Sequence, residues 1–311
     1  MNLTTQEINT FLEYSKYITI SPSKEPELYC TQVKNVLDLP PRIKQALLNF
    51  KVSRQPYLLI KGFPVSTVKT PLTNTHCVGE KTTLSKIQAL VVSSISEMIA
   101  YEGESSGKLF QDIVPDQKMA ALQSSVSCDQ ELEIHTEQAF SKLRPDVLCL
   151  ACLRGDLDAF TYILPINFIL ENITTSEYNL LKQPLWMFGI DYSFKLNNNE
   201  FIDGNLRGPF PILGDNCLLF DQNLISGITQ EAELIIKKII DIYYKHRISY
   251  CLEPGDILLI NNNQVVHGRS PFKARYDGND RFLIRSFGTY DLDKSLYARN
   301  RNSRIIESRF S

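Results

Sequence analysis

Histidine is scarce in this chain: its 311 residues hold four, His76, His135, His246 and His267, and tryptophan occurs once. No stretch approaches the roughly 18 uninterrupted apolar residues that a membrane-spanning helix requires, so no membrane partner is expected. Neither sign of charge dominates. The formal net charge is −2, which gives no electrostatic reason for nucleic acid or an anionic lipid surface as partner. The opening Met1-Asn2-Leu3-Thr4-Thr5-Gln6-Glu7 lacks a basic segment leading into an apolar one, so no secretory signal is expected. Glycine-rich phosphate loops, dinucleotide fingerprints, internal repeats and low-complexity linkers are all missing. The seven cysteines are odd in number and scattered, and read as reduced thiols in a cytoplasmic protein. Cys149-Leu150-Ala151-Cys152 lacks the second pair a zinc site would need. It lies in the apolar run 147–153, which predicts a strand buried on both faces with its thiols packed as small hydrophobes.

The length suits one large β-domain or two smaller domains, and a single domain is expected. Residues 1–105 read as a helical and strand region packing on a core at 106–290, with a tail at 291–311. In the first part, Thr4 or Thr5 can cap a helix through Leu12, and Pro40-Pro41 precedes a second over 42–49. A short strand lies within 55–65, and helical spacing of Leu84, Ile87, Leu90, Ile95 and Ile99 predicts a helix over 81–100 ended by Gly103. Beyond Gly107 the texture changes to short strands: 109–114, 132–136, 147–154, 185–196, 216–220, 248–252, 256–260, 265–269 and 281–289. Turn signals separate several of them, including Asn197-Asn198-Asn199, Asp203-Gly204, Pro254-Gly255 and Asp277-Gly278. Helical insertions are expected at 160–182 and 229–245, and segments 160–182 and 222–230 are candidate lids. The pattern predicts a mainly β fold with flanking helices, a jelly roll in preference to a parallel sheet. Arg299, Arg301 and Arg304 read as a solvated or crossover tail.

The histidines that are present fall in a pattern. In a strand, side chains at i and i+2 share a face. His135 and Glu137 of His135-Thr136-Glu137 can therefore reach one ion while Thr136 turns away. His267 sits in Asn263-Gln264-Val265-Val266-His267-Gly268-Arg269-Ser270-Pro271-Phe272, and Arg281 follows it by 14 residues. Two imidazoles and one carboxylate form the facial triad that leaves half of an octahedral Fe(II) open. Arg281 is placed to hold the carboxylate of an oxo-acid co-substrate, since a planar guanidinium matches a carboxylate bidentately and stays charged. His-x-Glu alone is common and His267 alone could be a core histidine. Their combination with Arg281 carries the metal reading.

The surroundings resemble a known family. Phe110-Gln111-Asp112-Ile113-Val114-Pro115, Leu132-Glu133-Ile134-His135-Thr136-Glu137, Arg144-Pro145-Asp146, Leu153-Arg154-Gly155-Asp156, Pro254-Gly255-Asp256-Ile257-Leu258-Leu259-Ile260-Asn261-Asn262, the His267 segment and Tyr276-Asp277-Gly278-Asn279-Asp280-Arg281-Phe282-Leu283-Ile284-Arg285 are similar to the clavaminate synthase-like, taurine dioxygenase-related Fe(II)/2-oxoglutarate-dependent dioxygenases. Within that branch the chain is most similar to hydroxylases of free arginine, lysine or asparagine. The resemblance implies a double-stranded β-helix core, with Fe(II) on His135, Glu137 and His267, and 2-oxoglutarate on Arg281. It implies O₂ as oxidant, with succinate and CO₂ released. Arg285 corresponds to the substrate-carboxylate arginine, Glu104 to the group facing the substrate amine, and Ser125 of Gln123-Ser124-Ser125 to a substrate-binding residue in a segment that makes backbone and serine contacts in relatives. Asp191 and Asp221 match acidic positions that read the side chain. Two carboxylates there favour a cationic head group. Asn223 stands where the family's arginine hydroxylases tend to carry a second acid, which puts lysine ahead of arginine. Hydroxylation is expected at the β- or γ-carbon (C3 or C4). Glu137 argues against a halogenase, in which that carboxylate gives way to a small residue. The alternatives are hydroxylation of asparagine, another polar amino acid or a carrier-bound one, and, in a different class, a non-catalytic β-barrel ligand sensor.

Overall fold

Uninterrupted apolar sequence marks the centre of the molecule. In the strand Val147–Arg154, residues Val147, Cys149, Ala151 and Leu153 pack into one hydrophobic core and Leu148, Leu150 and Cys152 into another. The two-residue period of a strand divides the run between the two cores, so neither face meets water. Burial pushes the pKa of the Cys149 and Cys152 thiols up to about 12, consistent with inert packing groups. The structure is a computed structural model and describes residues 1–195, 201–214 and 217–311.

Val147–Arg154 lies within a seven-stranded sheet. Its order runs Tyr57–Ile60, Ile257–Asn261, Val147–Arg154, Phe282–Thr289, Glu97–Tyr101 and Ile305–Ile306, with Gln111–Ile113 also paired to Phe282–Thr289. All pairings are antiparallel except the last, where Ile305–Ile306 runs parallel to Glu97–Tyr101. Helices Thr5–Lys16, Pro26–Asn35, Pro41–Val52 and Thr83–Ser93 cover the outer face with Phe11, Tyr29, Ile43, Phe50 and Leu90. Thr4 and Glu7 close the first helix as a reciprocal capping box, which satisfies two donors the helix would leave free. Pro41 opens the third helix, where a missing N–H costs nothing.

The inner face meets a four-stranded antiparallel sheet ordered Ile248–Cys251, Phe160–Pro165, Val265–Arg269 and Leu132–His135. Behind it runs the helix Gln230–His246, capped by Thr229 and presenting Ile235, Ile236 and Ile239 to the core. A three-stranded sheet of Ile225–Gly227, Trp186–Gly189 and Leu206–Phe210 completes the inner side. No helix among the described residues is long and apolar enough to cross a membrane.

The mainly β fold with flanking helices is as expected, and strands 147–154 and 265–269 have the expected bounds. Three elements differ. The helix expected over 81–100 stops at Ser93, and Glu97–Tyr101 is a strand paired with the end of Phe282–Thr289. Tertiary pairing decides an apolar spacing that fits either period. Phe160–Pro165, expected as helix, inserts as a strand between two partners. Helices Ile166–Glu171 and Thr175–Leu181 then pack on Gln230–His246, away from any lid position. Only Trp186–Gly189 of 185–196 is a strand, followed by a helical turn at Tyr192–Lys195. Leu196, Asn197-Asn198-Asn199 and Asn216 lie outside the described residues. The C-terminal arginines are not uniformly solvated. Arg299 is buried with hydrogen bonds to Ser295, Ser303 and Leu292, and Arg304 pairs with Glu97.

Gly268 sits where the inner sheet meets the helix Gln230–His246, beside His267. A Cβ there would stand 2.5 Å from Tyr243 Oη and 2.6 Å from Leu132 O. Gly268→Ala must displace the helix or the neighbouring strand. It should lose about 1–3 kcal/mol in denaturant unfolding and weaken Fe(II) binding. An unchanged midpoint and metal affinity would contradict this packing.

Candidate active site

Strand register brings the imidazoles together. Leu132–His135 and Val265–Arg269 pair with His135 opposite His267, and the ring centroids are 4.3 Å apart. Glu137 Oε1 lies 3.3 Å from His267 Nε2 and 4.0 Å from His135 Nε2. One ligand atom from each residue lies within 4.8 Å of the others, so the trio could hold a single metal ion after a small inward adjustment. Two nitrogens and one carboxylate suit Fe(II).

The surroundings prepare these groups. His135 Nδ1 lies 2.7 Å from the Glu133 carbonyl. A carbonyl only accepts, so Nδ1 carries the proton and Nε2 keeps its lone pair for the site. Burial, followed by the adjacent His267, lowers the His135 pKa and favours the neutral ligand form. Burial opposes the charge on Glu137, but the Arg285 guanidinium and His267 outweigh it and hold the Glu137 pKa at about 2. The fully buried Asn262 accepts from Glu137 N at 2.8 Å and donates to Glu137 O at 3.1 Å and Pro145 O at 2.8 Å. It fixes the backbone at the carboxylate.

A cavity of about 620 Å³ opens between the two sheets. The trio, Arg281, Arg285 and the expected contacts Glu104, Ser125, Asp191 and Asp221 all line it. Arg281 is buried and donates to Thr161 Oγ1 at 3.4 Å. Among the described residues it forms no ion pair with a carboxylate, and burial lowers its pKa to about 10. A buried guanidinium of this kind calls for an anionic ligand. Arg285 differs. Its Nη2 pairs with Glu104 Oε2 at 3.0 Å, its Nη1 with Glu137 Oε2 at 3.5 Å, and its Nε donates to Gln111 Oε1 at 2.8 Å. Burial raises Glu104 to about 7 against the pull of Arg285.

Asp191 and Asp221 face the cavity and also cap turns. Asp221 Oδ1 accepts from Asn223 N at 2.9 Å and Leu224 N at 3.2 Å. Asp191 Oδ1 accepts from Ser193 N at 2.8 Å and Ser193 Oγ at 2.5 Å. Sequence reasoning missed Thr161, Gln111, Gln138 and Asn262. A strand assignment at 160–165 would have put Thr161 on the inner sheet. The other three are polar residues whose burial no local pattern reveals.

A mainly β core with two facing sheets and a His-x-Glu…His cluster between them defines the class of non-haem iron oxygenases. A family model described as taurine catabolism dioxygenase TauD, TfdA family, matches residues 210–287. L-lysine 3-hydroxylase of Catenulispora acidiphila is 41% identical over 318 residues, covering 99% of this chain and 89% of that protein. L-asparagine oxygenase of Streptomyces coelicolor is 27% identical over 82% of this chain and 78% of its own length. A crystal structure of asparagine oxygenase with Fe(II), 2S,3S-3-hydroxyasparagine and succinate shares the fold, with TM-score 0.91 at 24% identity over 99% of this chain and 98% of that one. The chain belongs to the TauD/TfdA family and is an Fe(II)/2-oxoglutarate-dependent dioxygenase.

Asp221 provides a test of the cavity's electrostatics. Burial raises its pKa to about 7, against the opposing pull of His135. A raised carboxyl pKa means that ionisation costs folding energy. The cost is absent below the ordinary value of 3.8 and grows as pH rises toward 7. Metal-free Asp221→Asn, which keeps the accepting oxygen, should be more stable than wild type at pH 8 by about 1–2 kcal/mol, discounted for solvent at the mouth. The difference should vanish near pH 4. A gap that is constant with pH would rule out this account.

Proposed function

We propose that the protein hydroxylates C3 or C4 of a free basic L-amino acid, lysine ahead of arginine, with release of succinate and CO₂. The name of the 41% identical relative, L-lysine 3-hydroxylase, favours C3. The observation that carries the reading is Arg285 beside Glu104 in the same cavity as the His135–Glu137–His267 trio. Opposite charges 3.0 Å apart match the carboxylate and ammonium of an amino-acid head group. Asp191 and Asp221 add negative charge elsewhere on the wall, which complements a cationic side chain. In this reading the two facing sheets are the double-stranded β-helix, or jelly roll, of a single domain. The setting is cytoplasmic, in keeping with seven unpaired thiols.

His135, Glu137 and His267 hold the iron. Arg281 and Thr161 hold the distal carboxylate of 2-oxoglutarate. Arg285 takes the substrate carboxylate, Glu104 the α-ammonium, Ser125 forms a wall, and Asp191 and Asp221 face the side-chain cation. When bound, iron and 2-oxoglutarate supply the oxidising power to break an aliphatic C–H bond with O₂. The chain's own groups orient the substrate and keep water out. Position alone then selects the carbon that reacts.

Anaerobic addition of Fe(II) and 2-oxoglutarate should produce a weak visible charge-transfer band, which a ligand sensor without the metal centre would lack. In a panel of free amino acids, lysine should drive succinate release most strongly, followed by arginine. Arg281→Met should raise the 2-oxoglutarate concentration required by roughly 10- to 100-fold. The reading fails if no free amino acid raises succinate release above the uncoupled background, or if asparagine outperforms lysine.

A further inference from the structure

Gln138 has no part in the assignments above. It directly follows Glu137, is 6% exposed and lines the active-site cavity. Its backbone φ is +52°, a left-handed conformation that non-glycine residues seldom adopt and that gathers at ligand sites. Its Nε2 donates to Glu104 Oε1 at 3.4 Å. Its Oε1 is buried and has no hydrogen-bond partner among the described residues. Native folds rarely leave such an acceptor unsatisfied, and each exception calls for an explanation.

Glu104 Oε2 already receives Arg285 at 3.0 Å and Gln111 at 3.5 Å, so Oε1, the oxygen beside Gln138, remains for an incoming cation. An ammonium carries three N–H donors, and burying it leaves each in need of an acceptor. Glu104 supplies the countercharge and Gln138 can supply a second acceptor. A neutral amide fits this position better than another carboxylate, which would set like charge beside Glu137.

We propose that Gln138 is a substrate-binding residue whose Oε1 accepts a hydrogen bond from the α-ammonium of the amino acid. The inference rests on the head-group reading at Glu104 and Arg285. It makes the α-amine a determinant of recognition: a 2-hydroxy acid of the same length offers one hydroxyl in place of three charged donors.

The test is anaerobic calorimetric titration of protein loaded with Fe(II) and 2-oxoglutarate. The probes are L-lysine and (S)-6-amino-2-hydroxyhexanoate. Gln138→Leu removes the carbonyl. It should weaken lysine binding by roughly 10- to 100-fold and change binding of the hydroxy analogue by less than about 3-fold, with the charge-transfer band intact as the control for fold and metal site. Gln138→Asn is the second variant. It tolerates the left-handed backbone, withdraws the carbonyl by one methylene and should show the same selective loss. The inference is overturned if either folded variant binds lysine within about 2-fold of wild type. Equal losses for lysine and the hydroxy analogue would also overturn it, since they indicate a structural role. Failure of the wild type to bind any amino acid would remove the head-group reading itself, and that arm requires no variant.

Discussion

The site depends on one backbone register, the pairing that sets His267 opposite His135 across two antiparallel strands. A slip of one residue by either strand would turn its own imidazole to the other face of the sheet, away from its partner. The register is secured from several sides. Ile134, Val266 and Ile163 pack in the core behind it. Gly268 permits Tyr243 and the Leu132 backbone to approach closely. Asn262 then ties Glu137 to the neighbouring segment at Pro145. Stability and chemistry are therefore hard to separate here, because the packing that holds the inner sheet is also what aims the ligands.

Buried charge is distributed unevenly around that register. Arg285 is neutralised from two directions, by Glu104 and Glu137, and it also holds the Glu137 carboxylate ionised. Arg281 meets a hydroxyl and, among the described residues, pairs with no carboxylate. A dianionic oxo acid therefore gains most at Arg281. A zwitterion can exchange its own two charges for the existing Arg285–Glu104 pair with little net change. The same pocket can thus discriminate two carboxylate-bearing molecules by whether each also brings a positive charge.

Much of this was legible in the sequence, for identifiable reasons. The His135-Thr136-Glu137 spacing pointed to both side chains at one site, although the strand ends at His135 and Glu137 stands in the turn beyond it, and the four-residue step from Arg281 to Arg285 pointed to both arginines at one cavity. The uninterrupted apolar run at 147–153 announced a strand covered on both sides. Phe160–Pro165 was not legible, because Phe160, Ile163, Leu164 and Ile166 fit a helical spacing as well as a strand. Its two sheet neighbours decide the matter, and the Thr161 contact with Arg281 was lost with it. Glu97–Tyr101 failed for the same reason. Gln111, Gln138 and Asn262 escaped because an amide becomes significant only once it is buried, and burial of a single polar residue leaves no periodic trace.

Ile305–Ile306 runs alongside Glu97–Tyr101, and Arg304 pairs with Glu97. The stretch leading to Glu104 is therefore bordered by residues about 200 positions further along. During synthesis from the ribosome, the Glu104 wall of the cavity stays exposed at its edge until those later residues emerge. The His135–Glu137–His267 trio and both cavity arginines are translated earlier, so the edge of this wall is completed only after residues 304–306 have been made.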